Sequence, residues 1–385
     1  MQFNLLVRKE HFGATVFDAK EGKRVYLNKE ELKNLEEKNI LPSDVDIDLS
    51  DKKIKVVTNH NIDKKDMFSF ADTVFIELTR KCNLRCIHCL NNSGVELPGQ
   101  ITKEEVFDLV KNLIDAGVQE IRFTGGEPLL FDGLYECIKM ATDNGLRTSL
   151  GTNGVLATPE VAKKLKEAGL NSVVVSLDGT KETHDTIRGA GNFERSLKGL
   201  FNLKEVGIDV RVNSVIMKNN IKEIITLAKD LNSKGVKLFI RQFVSSGRGE
   251  NLTDLALSSE EYKQVKESLK TELSEFVQGH NLKNNNGTTS RINLDFVISS
   301  CRAGQRTLDI TPDGNIYPCG FLAAQGFSKV GNIREVKDWV QFWYDLNNYP
   351  RLKDLRQKMN KYNLENERKI NCLADFYSKI KNNTK

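Results

Sequence analysis

The stretch Thr73–Leu90, "TVFIELTRKCNLRCIHCL", joins a short β-branched and aromatic run to three cysteines spaced CxxxCxxC. The run reads as a strand. Cys82, Cys86 and Cys89 then fall on the loop just past its C-terminal end, and that edge is where parallel α/β folds build their chemistry. The same order recurs downstream. "QEIRFT", "RTSLGT", "SVVVSL", "IDVRVNSVI" and "KLFIRQF" are further strand-like runs, each followed by a helix-periodic segment; "KEEVFDLVKNLIDAG" and "EVAKKLKEAG" are examples that close on a glycine. Six strand–helix units predict an α/β fold with a parallel sheet and right-handed crossovers, either an open doubly wound sheet or a partial barrel.

The flanks read differently. "GATVFDAKEGKRVYLN" predicts two short strands around a turn at Lys20–Gly22, "KEELKNLEEKN" a charged helix, and "LPSDVDIDLSDKKIKVV" a connector leading to another strand. After a helix over Glu260–Gln278, the polar stretch "GHNLKNNNGTTS" is a candidate domain boundary. Beyond it, strands flank a turn at Pro312–Asn315. The expected units are residues 1–70, a small α+β extension, then 71–285 and 286–385. With 39% hydrophobic and 28% charged residues the composition is that of an ordinary soluble protein. No apolar run approaches the ~20 residues of a membrane span, and the N-terminus lacks the pattern of a signal peptide. The expectation is a cytoplasmic protein with no membrane partner. A net charge of +5 spread over 385 residues predicts no nucleic-acid partner. Seven cysteines, an odd count with three clustered, fit metal binding better than a disulfide framework.

Three thiolates on one loop can ligate three irons of a four-iron, four-sulfur cluster and leave the fourth iron open. Structural zinc is the competitor, but it wants four closed ligands, and His88, adjacent to Cys89, would strain a tetrahedral arrangement. An open iron on a redox-active cluster can bind a ligand and pass it an electron. Three later segments end strands on the same edge. In "FTGGEPLL", Gly125 and Gly126 permit a close approach that side chains would block, and Glu127 can accept hydrogen bonds from an ammonium group. "GTNG", Gly151–Gly154, and "SLDG", Ser176–Gly179, each also read as a cap or turn.

The CxxxCxxC loop followed by a GGEP segment resembles the radical S-adenosylmethionine superfamily. That resemblance implies a partial (β/α)6 TIM barrel. It also implies a 4Fe–4S cluster on Cys82, Cys86 and Cys89 whose open iron chelates S-adenosyl-L-methionine, and an electron from the cluster that cleaves it to a 5′-deoxyadenosyl radical. The implied cofactor-binding set is His88 near the adenine, Gly125, Gly126, Glu127 and Pro128 at the methionine amino group, with Thr152 and Asn153 of the next strand end. Ser176 is expected near the methionine carboxylate or ribose, and Asp178 near cofactor or substrate. Asn213 and Arg241 are candidates for ribose and carboxylate contacts, or else satisfied core polar groups. "SLDGTKETHDTIRGAGNFERSL" resembles members with an extra C-terminal cluster domain, in which His184, Asp185 and Arg188 sit on a loop over the substrate opening. For His184 and Asp185 a salt-bridged surface loop is the expectation. No catalytic acid, base or hydrogen donor is legible.

Cys301 and Cys319, with Gly314 five positions before the latter, resemble the opening motif of SPASM and twitch domains, which bind auxiliary iron–sulfur clusters. Only Cys372 follows, so the count favours a twitch-like unit with one auxiliary 4Fe–4S cluster on Cys301, Cys319 and Cys372. Its fourth ligand is then absent or not a cysteine, and a buried structural thiol is the alternative for Cys372. Cys137, in "DGLYECIKM", reads as core. The N-terminal strands and helix look like a truncated leader-recognition element of ribosomal-peptide (RiPP) maturases, which binds the leader as an added strand. The implied substrate is a precursor peptide, crosslinked through a thioether or carbon–carbon bond or epimerised, with an electron donor such as flavodoxin or ferredoxin. A small-molecule enzyme of haem, cofactor or natural-product synthesis and a non-catalytic iron–sulfur peptide-binding protein are the other readings.

Overall fold

In the computed structural model, which describes residues 3–60, 67–272, 301–365, 370 and 372–382, the N-terminal segment forms a four-stranded sheet, one strand more than the pair and the later strand read from the sequence. Its elements are β1 (Leu5–Glu10), β2 (Gly13–Asp18), β3 (Lys23–Asn28), α1 (Lys29–Lys38) and β4 (Ile54–Val57), in sheet order β3-β2-β1-β4. β1 pairs antiparallel with β2 and parallel with β4, so it joins the predicted hairpin to the predicted later strand. Asn28 and Glu31 close a reciprocal capping box that starts α1 where the charged run begins. One face of the sheet buries Leu5, Val7, Val16, Val25 and Leu27 against Leu32 and Leu35 of that helix.

The six runs read from the sequence are the six barrel strands. β5 (Thr73–Glu77), β6 (Glu120–Thr124), β7 (Arg147–Thr152), β8 (Ser172–Ser176), β9 (Asp209–Ile216) and β10 (Lys237–Gln242) pair in parallel between successive neighbours. Between and after them run α2 (Lys103–Asp115), α3 (Leu134–Asp143), α4 (Pro159–Glu167), α5 (Lys181–Arg188), α6 (Asn192–Glu205), α7 (Ile221–Ser233) and α8 (Ser259–Glu272). α8 is the described part of the helix expected over Glu260–Gln278; the candidate boundary stretch, residues 279–290, lies outside the described residues. Val74, Ile76, Ile121, Phe123, Val173 and Val175 are fully buried between strands and helices, each contributing about 1.5–3 kcal/mol by leaving water.

The chain then returns to the same sheet. β11 (Thr307–Ile310) adds parallel to β5, and β12 (Asn315–Tyr317) and β13 (Gly331–Asn332) add antiparallel beyond it, with α9 (Gly320–Ala324) between them. α10 (Trp339–Asn347), α11 (Pro350–Glu365) and α12 (Leu373–Asn382) complete the described chain. Trp343 is fully buried and its indole N–H donates to Phe68 O at 2.9 Å. The expected strands around Pro312–Asn315 are thus the continuation of the barrel sheet.

The strand-start end of the barrel carries the N-terminal sheet. Arg8 donates to Ala71 O and Gly117 O, and Arg147, at the start of β7, donates to Ala19 O and Lys20 O. Asp72, just before β5, is the hub: Arg8 reaches it at 2.9 Å, Arg306 at 2.5 Å and Arg24 at 4.0 Å. Burial alone would raise this carboxyl, but Arg24, Arg306 and Arg8 hold it far below the usual carboxylate range. Among the described residues no helix is long and apolar enough to cross a membrane.

Candidate active site

None of the seven cysteines is in a disulfide, and Cys82, Cys86 and Cys89 lie together on the loop leaving β5. The Leu84 N–H donates to Cys82 Sγ at 3.4 Å, the Ser93 N–H to Cys89 Sγ at 3.3 Å, and the Arg188 guanidinium to Cys86 Sγ at 3.8 Å. The three sulfurs are within electrostatic reach of one another. Yet among the described residues no three His, Cys, Asp or Glu groups converge as a single metal ion requires. Thiolates that ligate a cluster are spread over separate irons, so this donor set fits a cluster better than zinc. His88 Nδ1, buried beside these thiols, has no hydrogen-bond partner among the described residues.

The GGEP segment docks directly on this loop. The Gly126 N–H donates to Thr79 O at 2.6 Å and the Glu127 N–H to Lys81 O at 2.9 Å. A Cβ on Gly125 would lie 2.6 Å from Thr79 O, and one on Gly126 2.4 Å from Lys81 O. The close approach these glycines allow is therefore made by the cysteine loop's own backbone. Glu127 is fully buried. It accepts from Thr152 Oγ1 at 2.7 Å, the Asn153 N–H at 2.9 Å and the Leu129 N–H at 3.2 Å. Burial nevertheless pushes its carboxyl up to about 7 against those hydrogen bonds. Asn153 also donates to Asn83 Oδ1 at 2.8 Å, so "GTNG" ties the second and third strand ends to the cysteine loop. Pro128 is buried at the start of the turn that follows.

A second network starts at Asp178, also fully buried. Its Oδ2 meets His88 Nε2 at 2.7 Å and Arg188 Nε at 2.6 Å, and its Oδ1 accepts from the Val215 N–H of β9 at 2.8 Å. Desolvation would raise this carboxyl, but Arg188 and then His88 outweigh it and keep it ionised. The segment expected as a surface loop is the helix α5, which buries His184, Ile187 and Arg188 on one face. His184 Nδ1 accepts from the Asp178 N–H at 3.3 Å, and burial, with Arg188 nearby, lowers its pKa to about 4. Asp185 accepts from the Gly191 and Phe193 N–H groups at 2.8 Å each, capping α6. The surface salt-bridge expectation for His184 and Asp185 is thereby corrected.

Ser176, the last residue of β8, stands in register with Asn213 within β9, both half-buried. Arg241 Nε donates to Asn213 Oδ1 at 3.0 Å, and its guanidinium lies 5.8 Å from the ring centre of Phe321 in α9. Burial and then Arg122 lower the Arg241 pKa. Ser246 Oγ donates to Ala324 O at 3.0 Å, so α9 meets the segment that leaves β10. On β11, Asp309 is pushed up to about 7 by burial and then by Glu77. Cys301 and Cys372 are joined by a thiol hydrogen bond that lowers Cys301, and Cys319 is within electrostatic reach of Cys301. Cys301 is thus near each of the other two C-terminal cysteines. Cys137 is fully buried in α3, where burial pushes its thiol up to about 12, as a core residue.

Two arginines complete the cysteine loop's support, and sequence reading missed this role for both. Arg248 Nε donates to Cys86 O at 2.9 Å, its NH1 to Ser93 O at 2.8 Å and Asn92 Oδ1 at 3.0 Å, and its N–H to Cys89 O at 3.0 Å. Arg188 is the other. Their one local signal is glycine, Gly247 beside Arg248 having φ +58 and no room for a Cβ against Leu90 O.

Residues 76–231 match the radical SAM superfamily, and residues 301–372 match the SPASM iron–sulfur cluster-binding domain, bounded by Cys301 and Cys372. An AdoMet-dependent heme synthase of Methanosarcina barkeri is 30% identical over 325 residues, covering 78% of this chain and 91% of that protein. The chain belongs to the radical SAM superfamily. Mycofactocin maturase MftC of Mycolicibacterium smegmatis is 30% identical over 270 residues, covering 69% of this chain and 68% of that protein. The solved structure of Streptococcus suis SuiB bound to precursor peptide SuiA superposes with TM-score 0.71 over 89% of this chain and 88% of that one; at 18% identity this shows a shared fold. As a radical SAM enzyme the chain uses a 4Fe–4S cluster and S-adenosyl-L-methionine, and its SPASM domain is an auxiliary iron–sulfur domain.

Proposed function

We propose that this radical SAM enzyme matures a precursor peptide, forming a thioether or carbon–carbon crosslink or epimerising a residue, with a flavodoxin- or ferredoxin-like protein as electron donor. In this reading residues 1–70 recognise the leader, 71–285 are the catalytic barrel and 286–385 the auxiliary domain. Cys82, Cys86 and Cys89 hold one cluster, and Cys301, Cys319 and Cys372 the other. Bound together, the first cluster and S-adenosylmethionine supply a radical able to abstract hydrogen from an unactivated carbon. The chain's own residues do the positioning. Glu127, held by Thr152 and the Asn153 N–H, accepts the cofactor's ammonium; Ser176 and Asn213 face the same edge. Asp178 fixes His88 and Arg188 against the cysteine loop. Arg241, turned toward Phe321, lies where the barrel meets the auxiliary domain.

The observation that carries the peptide reading is the N-terminal sheet. Its edge strands β3 and β4 have no further strand beside them among the described residues, and Val56 on β4 is 51% exposed. An extended peptide can add to such an edge. The sheet sits at the barrel end opposite the cysteine loop, and an extended segment of about 10 residues spans about 33 Å, enough to pass along a barrel strand. The maturase name of MftC supports this reading, and SuiB, bound to a precursor peptide in its structure, shares the fold. The heme synthase, matched over 91% of its length, favours a second reading, a small-molecule enzyme acting on a haem precursor. Hydrogen exchange separates them. With the synthetic product of a short open reading frame next to the gene, amide protection at residues 23–28 or 54–57 supports peptide recognition. Turnover of a carboxylated porphyrin, with no protection by the peptide, supports the second reading instead.

A further inference from the structure

We propose that Arg188 sets the reduction potential of the cluster at Cys86, an inference that rests on reading Cys82, Cys86 and Cys89 as its ligands. Cys82 and Cys89 meet only uncharged donors among the described residues, the Leu84 N–H at 3.4 Å and the Asn153 amide at 4.0 Å on Cys82 and the Ser93 N–H at 3.3 Å on Cys89. Among the described residues, Cys86 is the one of the three with a cation donating to its sulfur, Arg188 Nη1 at 3.8 Å. The guanidinium is held in place on its other side, where Nε donates to Asp178 Oδ2 at 2.6 Å. Asp178 is itself pinned by the Val215 N–H and by His88. The Arg188 side chain is only 10% exposed and that of Asp178 is fully buried, so solvent screens this pair weakly. A planar fork that donates to two partners at once is a task for arginine, since a lysine ammonium presents a mobile point charge.

The consequence is electrostatic. One-electron reduction, by dithionite or a protein donor, adds one negative charge to the cluster and its thiolates. A fixed cation beside one ligating sulfur stabilises that reduced form more than the oxidised one, and charge and hydrogen bonds at the sulfurs are recognised determinants of cluster potential. Asp178 opposes this, but it binds Nε while NH1 faces the sulfur. Arg188 is therefore a positioning and tuning residue, one that acts on the cluster's ligand shell.

The test is an EPR-monitored redox titration of the full chain, reconstituted anaerobically, in wild type, Arg188→Gln, Arg188→Lys and Asp178→Asn. The signal to follow is the one that changes when S-adenosylmethionine is added, which separates this cluster from the auxiliary one. Arg188→Gln is expected to leave about tenfold less reduced cluster at a fixed poise, a fall of about 59 mV for a one-electron couple. Arg188→Lys, which keeps the charge but loses the fork, should recover part of that fall, and Asp178→Asn, whose amide oxygen can still accept from Nε, should shift the midpoint upward. A wild-type midpoint in Arg188→Gln, with iron content and cofactor response intact, overturns the inference. If Arg188→Gln does not retain the cluster, Arg188→Met takes its place: a lowered midpoint supports the role and a wild-type midpoint overturns it. If wild type shows no signal responsive to S-adenosylmethionine, the ligand assignment itself fails and the inference falls with it.

Discussion

Glu127 is neutral or charged according to pH within the physiological range. Its folded pKa is raised from 4.5 to about 7 by burial, so the protonated form stabilises the fold fully below 4.5 and that contribution is lost as pH rises through about 7. Holding an ammonium needs the ionised form, which gives cofactor binding the opposite sign. S-adenosylmethionine affinity should be about tenfold weaker at pH 6 than at pH 8, following the ionised fraction, and Glu127→Gln should bind weakly with no such slope. Equilibrium binding at the two pH values checks this, and a wild-type affinity independent of pH would remove Glu127 from the role. At this scale the sequence was informative where chemistry is local: the cysteine spacing and the "GGEP" run are legible without a structure. Arg188 and Arg248 were not legible as supports of the loop, because their partners on Cys86 lie 102 and 162 positions away and no short pattern encodes a bond to a distant carbonyl or sulfur.

Among the elements, the cysteine loop is gripped by backbone contacts from two sides, and each side depends on a glycine. A Cβ at position 126 would meet Lys81 O at 2.4 Å, and one at 247 would meet Leu90 O at 2.3 Å while holding φ +58. Both obstacles are backbone and cannot swing aside. Gly247→Ala should therefore displace the loop and remove about four irons per chain, while far-UV circular dichroism stays that of wild type; full iron content in the variant would show the contact to be dispensable. The six barrel strands were legible because their β-branched and aromatic runs are bounded by polar turns. α5 was not, because "KETHDTIR" carries a single aliphatic residue, Ile187, and its buried face is completed by His184 and Arg188, polar groups whose burial is repaid by Asp178. β1 escaped notice for a different reason: five of its six residues are buried and alternate no polar face toward solvent.

For the molecule as a whole, the Asp72 hub binds an arginine 234 positions away, which is why nothing local announced it. Arg8 and Arg24 belong to the N-terminal sheet, Asp72 to the barrel entry and Arg306 to the strand turn before β11. Arg306 also donates to Tyr26 OH at 2.6 Å. Asp72→Asn would leave Arg24 and Arg306 buried without this counter-charge and Arg8 with Glu10 alone, a loss of about 3–5 kcal/mol, read as a lower denaturant midpoint; an unchanged midpoint would show that the Asp72 charge is dispensable for holding the three segments together. The division into strand, helix and cysteine loop was therefore readable from sequence, and the fastening of the parts to each other was not. The most direct measurement is made on the anaerobically reconstituted protein, as iron per chain and 5′-deoxyadenosine formed with dithionite and S-adenosylmethionine. Two clusters predict about eight irons and reductive formation of 5′-deoxyadenosine, with Cys86→Ala falling to about four irons and forming none. No 5′-deoxyadenosine from wild type, or undiminished formation by Cys86→Ala, would contradict a radical enzyme built on this loop.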